Sequence, residues 1–180
     1  MLKLNVQPFP VLKTDRLVLR AMHNDDAEAI WLLRSDERVN KYIDRPKAIT
    51  IEDAENFIKK IESAIANNES FYWGINLKNN NTLIGTICLF HISTENNTAE
   101  IGYELLPAFQ GKGLMNEAIT AVIELAFETI KVKTITAFLK PENERSVNIL
   151  TRNNFKPDTA FEYSDKSKPD GFVCYYLTRL

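Results

Sequence analysis

The sequence predicts a mixed α+β fold, with a mostly antiparallel central sheet flanked by helices. Three observations predict it. Apolar residues recur at helical spacing in three stretches: Ala27, Ile30, Trp31 and Leu33; Ala54, Phe57, Ile58, Ile61 and Ala64; and Ala118 through Ala126. Between the second and third stretches the pattern shifts to short β-former runs separated by Asn-rich turns, as in antiparallel hairpins. A strand, a long helix and another strand then follow, which requires a crossover inside that sheet.

Each element has its own signal. Residues 17–21 (LVLRA) read as a strand introduced by Thr14-Asp15-Arg16. Asn24-Asp25-Asp26 supplies an N-cap and first-turn acids to the first helix. Asp44-Arg45-Pro46 breaks the chain, and Thr50 with Asp53 opens the second helix as a capping box. Strands are expected at 71–77 and 82–92, joined by Lys78-Asn79-Asn80-Asn81, and at 99–106, ended by Pro107. A helix over 114–130, a strand over 133–139 and a short helix over 142–152 come next. Two last strands are expected near 160–163 and 172–177. No repeat, linker or low-complexity segment interrupts the pattern, so residues 1–180 read as one domain.

Composition narrows the function. A chain with 44% hydrophobic and 26% charged residues has the balance of a globular protein that buries a core. Its net charge of -2 and the absence of a basic block argue against nucleic acid as a partner. Cys88 and Cys174 lie far apart in apolar runs, which argues against a disulfide framework or a thiol metal site. Neither a secretory leader nor an apolar stretch of about 20 residues is evident. A cytoplasmic protein with no membrane partner is expected.

Gln110-Gly111-Lys112-Gly113-Leu114-Met115 is the most informative segment, because it lies between a predicted strand and a predicted long helix. Glycines let backbone N–H groups approach a ligand, and a helix start welcomes an anion such as a pyrophosphate. A nucleotide-triphosphate loop would need a hydroxyl residue after its lysine, where Gly113 stands. The glycine pattern of a dinucleotide fold is also missing.

With these residues the sequence resembles the GCN5-related N-acetyltransferases, the GNAT superfamily. Gln110 and Gly113 match its [QR]-x-x-G-x-[GA] pyrophosphate motif, with Met115 in the last position instead of Gly or Ala. Four further segments resemble the ribosomal-protein N-terminal acetyltransferase subgroup. They are Thr14-Asp15-Arg16-Leu17-Val18-Leu19-Arg20, Asp25-Asp26-Ala27, Ala99-Glu100-Ile101-Gly102-Tyr103-Glu104-Leu105, and Asn143-x-x-Ser146 followed by Leu150 and Phe155. Two positions depart from the pattern. Asn154 replaces a Gly, and Leu150 stands where many members carry a tyrosine that protonates the leaving thiolate.

The resemblance implies acetyl-CoA as acyl donor without a metal, and a primary amine as acceptor. It further implies that the backbone around Gln110, Gly111, Lys112, Gly113, Leu114 and Met115 grips the pyrophosphate. Leu105 and Leu106 would pair with the pantetheine arm, and Asn143 and Ser146 would also meet the donor. Lys140 and Arg145 could meet the ribose phosphate. Assembly as a homodimer is left open.

Thioester aminolysis sets the remaining demands. A thiol near pKa 8.5 costs only about 2 kcal/mol to release as thiolate at pH 7, so an acid helps without being essential. Ser146 is the candidate donor, with a backbone-bonding role as its alternative. Deprotonating an α-amine costs about 1 kcal/mol at pH 7, against roughly 4.6 for a lysine. That favours an N-terminal acceptor. Glu104 is the candidate base, on a strand face shared with Glu100 and Gly102. His91 is a second basic candidate, and Trp31, Tyr42, Phe71 and Trp73 are candidates for the acceptor side or the core. Two alternatives stay open: acetylation of a polyamine, amino acid or aminoglycoside, and a non-catalytic acyl-CoA-binding module.

Overall fold

The computed structural model describes residues 2–163 and 170–179. Two short strands, β1 (Leu12–Lys13) and β2 (Leu17–Arg20), lead into α1 (Ala27–Ser35), α2 (Glu37–Asn40) and α3 (Ile51–Ala66). The expected capping box starts α3: the Thr50 hydroxyl accepts from the Asp53 N–H while the Asp53 carboxylate accepts from the Thr50 N–H. The hairpin strands follow as β3 (Phe71–Leu77), β4 (Leu83–Ser93) and β5 (Thr98–Leu105). Next come α4 (Leu114–Leu125), which runs on as a π-helical turn over Ala126–Ile130, then β6 (Thr134–Leu139) and α5 (Glu144–Arg152). Two strands close the chain, β7 (Lys156–Pro157) and β8 (Val173–Thr178).

The strands form one sheet in the order β1-β2-β3-β4-β5-β6-β8-β7. Among the described residues, only β5 and β6 pair in parallel, because α4 carries the chain back across one face between them. Their pairing covers Thr98–Thr134, Ala99–Ile135 and Glu100–Thr136 and then ends, although β5 continues to Leu105 and β6 to Leu139. The two strands part there and leave a slot in the sheet.

Each face of the sheet has its own core. On one, Leu17, Leu19, Trp73, Ile87, Leu89 and Ile101 pack against Ala118, Ile119 and Val122 of α4. Each buried Leu, Ile or Val among them contributes about 1.5–3 kcal/mol. On the other face, Met22 and Leu83 meet Ala27 and Ile30 of α1 and Ala54 and Ile58 of α3.

One expected strand is absent. Residues 160–163 form a turn, because the Asp158 carboxylate accepts the N–H groups of Glu162 and Tyr163 at 2.9 and 2.8 Å and Phe161 takes a φ of 54°. A carboxylate that satisfies two successive N–H groups offers the backbone an alternative to a sheet ladder. The pairing with β8 comes instead from Lys156 and Pro157. The two-residue β1 and the single turn of α2 are additions that short polar segments did not announce.

Candidate active site

Cross-strand pairing puts Glu104 opposite Thr86, Gly102 opposite Cys88 and Glu100 opposite Phe90, all on the α1/α3 face. A cleft of about 500 Å³ runs over these residues under the segment from Tyr42 to Arg45. It continues through the slot to Asn143, Ser146 and Leu150 of α5, so it joins the two faces of the sheet. Glycines make this possible. A Cβ on Gly102 would lie 3.2 Å from both the Cys88 Sγ and the Phe90 ring, and one on Gly85 would lie 2.3 Å from the Glu104 carbonyl. The first keeps the cleft floor open, and the second lets β4 and β5 close up beside the slot.

Glu104 lies at the inner end with only 4% of its side chain exposed. Arg45 Nη2 donates to its Oε2 at 2.5 Å, and the Thr86 hydroxyl donates to its Oε1 at 3.1 Å. Arg45 is itself held: its Nε donates to Asn40 Oδ1 at 2.8 Å, and the Asn40 amide caps the carbonyls of Arg34 and Asp36. Arg34 stacks on Phe57 at 3.8 Å, and burial together with the neighbouring Arg45 charge lowers its pKa. Tyr72 Oη lies 3.3 Å from the Thr86 hydroxyl, and burial pushes its phenol far up. Sequence reading took Arg45 only for a chain break. Its partner lies 59 residues away, and no local pattern announces that.

At the outer end, His91 Nδ1 lies 2.9 Å from Glu100 Oε2, and the imidazole rests on Phe90 with ring centroids 4.5 Å apart. Tyr42 lines the cleft. Phe71 and Trp73 are buried in the α4-side core, stacked at 6.0 Å, and Trp31 packs on the α1/α3 side.

On the opposite face, Gly111 and Gly113 take φ of 75° and 76°, a left-handed geometry that presents successive N–H groups outward. Gly113 is the N-cap of α4 and has no side-chain cap, so the first N–H groups of the helix lack intrahelical partners. Open space surrounds Gly111. Leu114 and Met115 bury their side chains in the core, which is why Met can stand where Gly or Ala is usual. Lys112 Nζ lies 5.5 Å above the Phe109 ring. The Gln110 amide donates to the Leu105 carbonyl at 2.8 Å, while its Oε1 accepts from Arg145. The Leu106 N–H donates to the Ile84 carbonyl at 2.9 Å, and ladder alternation turns the Leu105 peptide groups the other way, toward the slot.

The segment Thr14-Asp15-Arg16 buttresses this loop. Glu117 of α4 accepts from the Thr14 hydroxyl, from the Arg16 N–H at 2.8 Å and from Arg16 Nε at 2.7 Å. Arg16 Nη1 also donates to the Lys112 carbonyl at 2.9 Å. Burial pushes the Glu117 carboxyl up, but these bonds outweigh it and hold it below the usual range.

A family model described as "Acetyltransferase (GNAT) domain" matches residues 16–156. The chain belongs to the GNAT acetyltransferases. It is similar to the N-acetyltransferase YoaA of Bacillus subtilis, 32% identical over 83% of this chain and 85% of that protein. It is also similar to the [ribosomal protein uS5]-alanine N-acetyltransferase of Escherichia coli, 28% identical over 82% of this chain and 78% of the relative. Among solved structures it matches the microcin C7 self-immunity acetyltransferase MccE, in complex with acetyl-CoA and AMP. That likeness has a TM-score of 0.81 at 23% identity and covers 98% of this chain and 100% of the other.

As a GNAT enzyme the protein is an N-acetyltransferase that uses acetyl-CoA. Its uncapped helix start and open glycines fit an anionic diphosphate. Among the described residues, no group of three His, Cys, Asp or Glu side chains is placed to hold a metal, and no helix is long and apolar enough to cross a membrane.

Asn143 is the N-cap of α5, its Oδ1 accepting from the Ser146 N–H at 3.3 Å. Leu150, where many GNAT members carry a tyrosine, is fully buried. A phenol lines the same cleft. Tyr103 on β5 lines the cleft beside Ser146, and burial pushes its phenol up to about 12, with a hydrogen bond to Ser146 acting the other way. Strand alternation marks Tyr103 only as facing the helices, so it reads as core. Lys140 lies 5.7 Å from the Phe172 ring.

Proposed function

We propose that this acetyltransferase modifies the N-terminal α-amine of a protein, in the cytoplasm. The observation that carries this reading is the state of Glu104, whose charge Arg45 already balances. A carboxylate so engaged has little negative charge to offer a polycation, and it suits an amine that costs only about 1 kcal/mol to deprotonate. The similarity to the uS5-alanine enzyme supports the same acceptor class.

In this reading the N–H groups from Gly111 to Met115 hold the diphosphate, with Gln110 and Lys112 shaping the loop. The peptide groups of Leu105 meet the pantetheine arm and Leu106 fixes the strand, while Asn143 holds the start of α5. Glu104 takes a proton from the acceptor nitrogen as the C–N bond forms. Ser146, with Tyr103 beside it, gives a proton to the departing sulfur. A backbone N–H at the slot stabilises charge building on the thioester oxygen.

Thiol release from acetyl-CoA with peptide N termini, polyamines, amino acids and aminoglycosides tests the acceptor. Peptide N termini should turn over fastest, and a preference for polyamines would sink the reading. Glu104→Gln should lower kcat about a hundredfold at neutral pH and leave the Kd for acetyl-CoA unchanged. An unchanged rate across the pH range would remove Glu104 from the chemistry.

A further inference from the structure

At the outer end of the cleft, His91, the second basic candidate, forms an ordered pair with Glu100. The β4 ladder is irregular between Phe90 and Ser93, and His91 there takes a left-handed φ of 46°. Bulges re-aim side chains, and strained backbone concentrates at functional places. This one turns the imidazole onto Glu100 of the neighbouring strand, Nδ1 to Oε2 at 2.9 Å. The partners face different media. The Glu100 side chain is 9% exposed and lines the cleft, whereas the His91 side chain is 64% exposed and lies against Phe90, which also lines the cleft. An ionised carboxylate can only accept, so the hydrogen is assigned to Nδ1 and the free lone pair to Nε2, on a side chain open to solvent beside the cleft-lining Phe90 and Glu100.

We infer that His91, held by Glu100, removes the first proton from the acceptor ammonium as it enters the cleft. The inference rests on the amine-acceptor reading above and adds a group to it. The ammonium gives one proton to Nε2, leaving a neutral amine and an imidazolium whose charge Glu100 faces. The nitrogen lone pair then attacks the thioester carbon, and the C–S bond breaks as the tetrahedral intermediate collapses. The second nitrogen proton leaves through Glu104 and restores Ser146, which has protonated the thiolate. The exposed imidazolium loses its proton to water. One proton thus ends on sulfur and one in solution. His91 is the catalytic residue of the pair, and Glu100 is a positioning residue.

Thiol release with a free-N-terminus peptide, measured across pH, tests this for the wild type, His91→Asn and Glu100→Gln. Asn accepts the left-handed backbone that His91 occupies, so the fold is kept while the base is removed. The expected result is a ten- to hundredfold fall in kcat/KM for the peptide by His91→Asn at pH values where the peptide amine is protonated. That fall should shrink as the amine deprotonates, with the KM for acetyl-CoA unchanged. Added imidazole should restore part of the lost rate, since the position is open to solvent. Glu100→Gln should show a smaller fall and no response to imidazole. A fall that is independent of pH and insensitive to imidazole, or no fall at all, would overturn the inference while leaving the amine reading intact. Failure of the wild type to release thiol with any amine would overturn both.

Discussion

The two faces of the sheet meet at one slot but are held together by different means. On the α4 side, the loop from Gln110 to Met115 takes its shape from two left-handed glycines, a buried Leu and Met, and a Thr14–Arg16–Glu117 buttress. The groups it leaves open are backbone N–H groups, which side-chain change hardly alters. On the α1/α3 side, the cleft is framed by paired polar side chains: Arg45 with Glu104, and His91 with Glu100. In the proposed reading the backbone cradle holds the donor, and the cleft framed by side chains receives the acceptor. The difference is one of chemistry, and it can be tested on each face.

The largest effect is expected on the acceptor side. Arg45→Met leaves the Glu104 charge unpaired at 4% exposure, which should cost about 3–5 kcal/mol in urea unfolding. The double variant Arg45→Met with Glu104→Met should recover most of that loss. If the single variant is as stable as the wild type, the charge framework is not what holds this side.

A middle-sized effect is expected on the donor side. Glu117→Gln should raise the KM for acetyl-CoA roughly tenfold, equivalent to about 1.4 kcal/mol, with kcat and the acceptor KM unchanged. A pH test of stability accompanies it. The carboxyl of Glu117 is held below its ordinary range when folded, so its contribution is complete above the unfolded carboxyl pKa of about 4.3 and is lost as pH falls through the lower folded value. The Gln variant should lack that part of the acid destabilisation, and matching acid profiles would remove the buttress from the account.

The smallest effect on acetyl-CoA affinity concerns one Cβ. Gly111→Ala meets open space but must keep a φ of 75°, so it should cost about 1–2 kcal/mol in stability. It should raise the acetyl-CoA KM only a few fold. Loss of all activity would mean that the side chain, and not the backbone angle, decides the fit.

Most of the scaffold could be read from the chain because its signals are local. The Thr50 and Asp53 box, the Asn-rich turns, the apolar period of α4 and the glycines at its start each lie within a few residues of the element they shape. The false strand at 160–163 shows the limit of this reading. Its residues suit a strand, but a carboxylate two to five positions upstream bonds the backbone first. The conformation of the loop from Gln110 to Met115 was legible for the same reason, and Met115, which departs from the motif, places its side chain in the core.

The sequence by itself determined the α+β architecture, the crossover and a glycine-rich, uncapped helix start, because caps, turns and periodicity act over short separations. Tertiary structure alone decided that Arg45 would close on Glu104, that His91 would turn to Glu100, that Tyr103 would stand beside Ser146 and that Arg16 would grip Glu117. Those pairings join side chains from 9 to 101 positions apart. They exist because strand register and the parting of β5 from β6 bring distant backbones together, and no local preference encodes such a meeting.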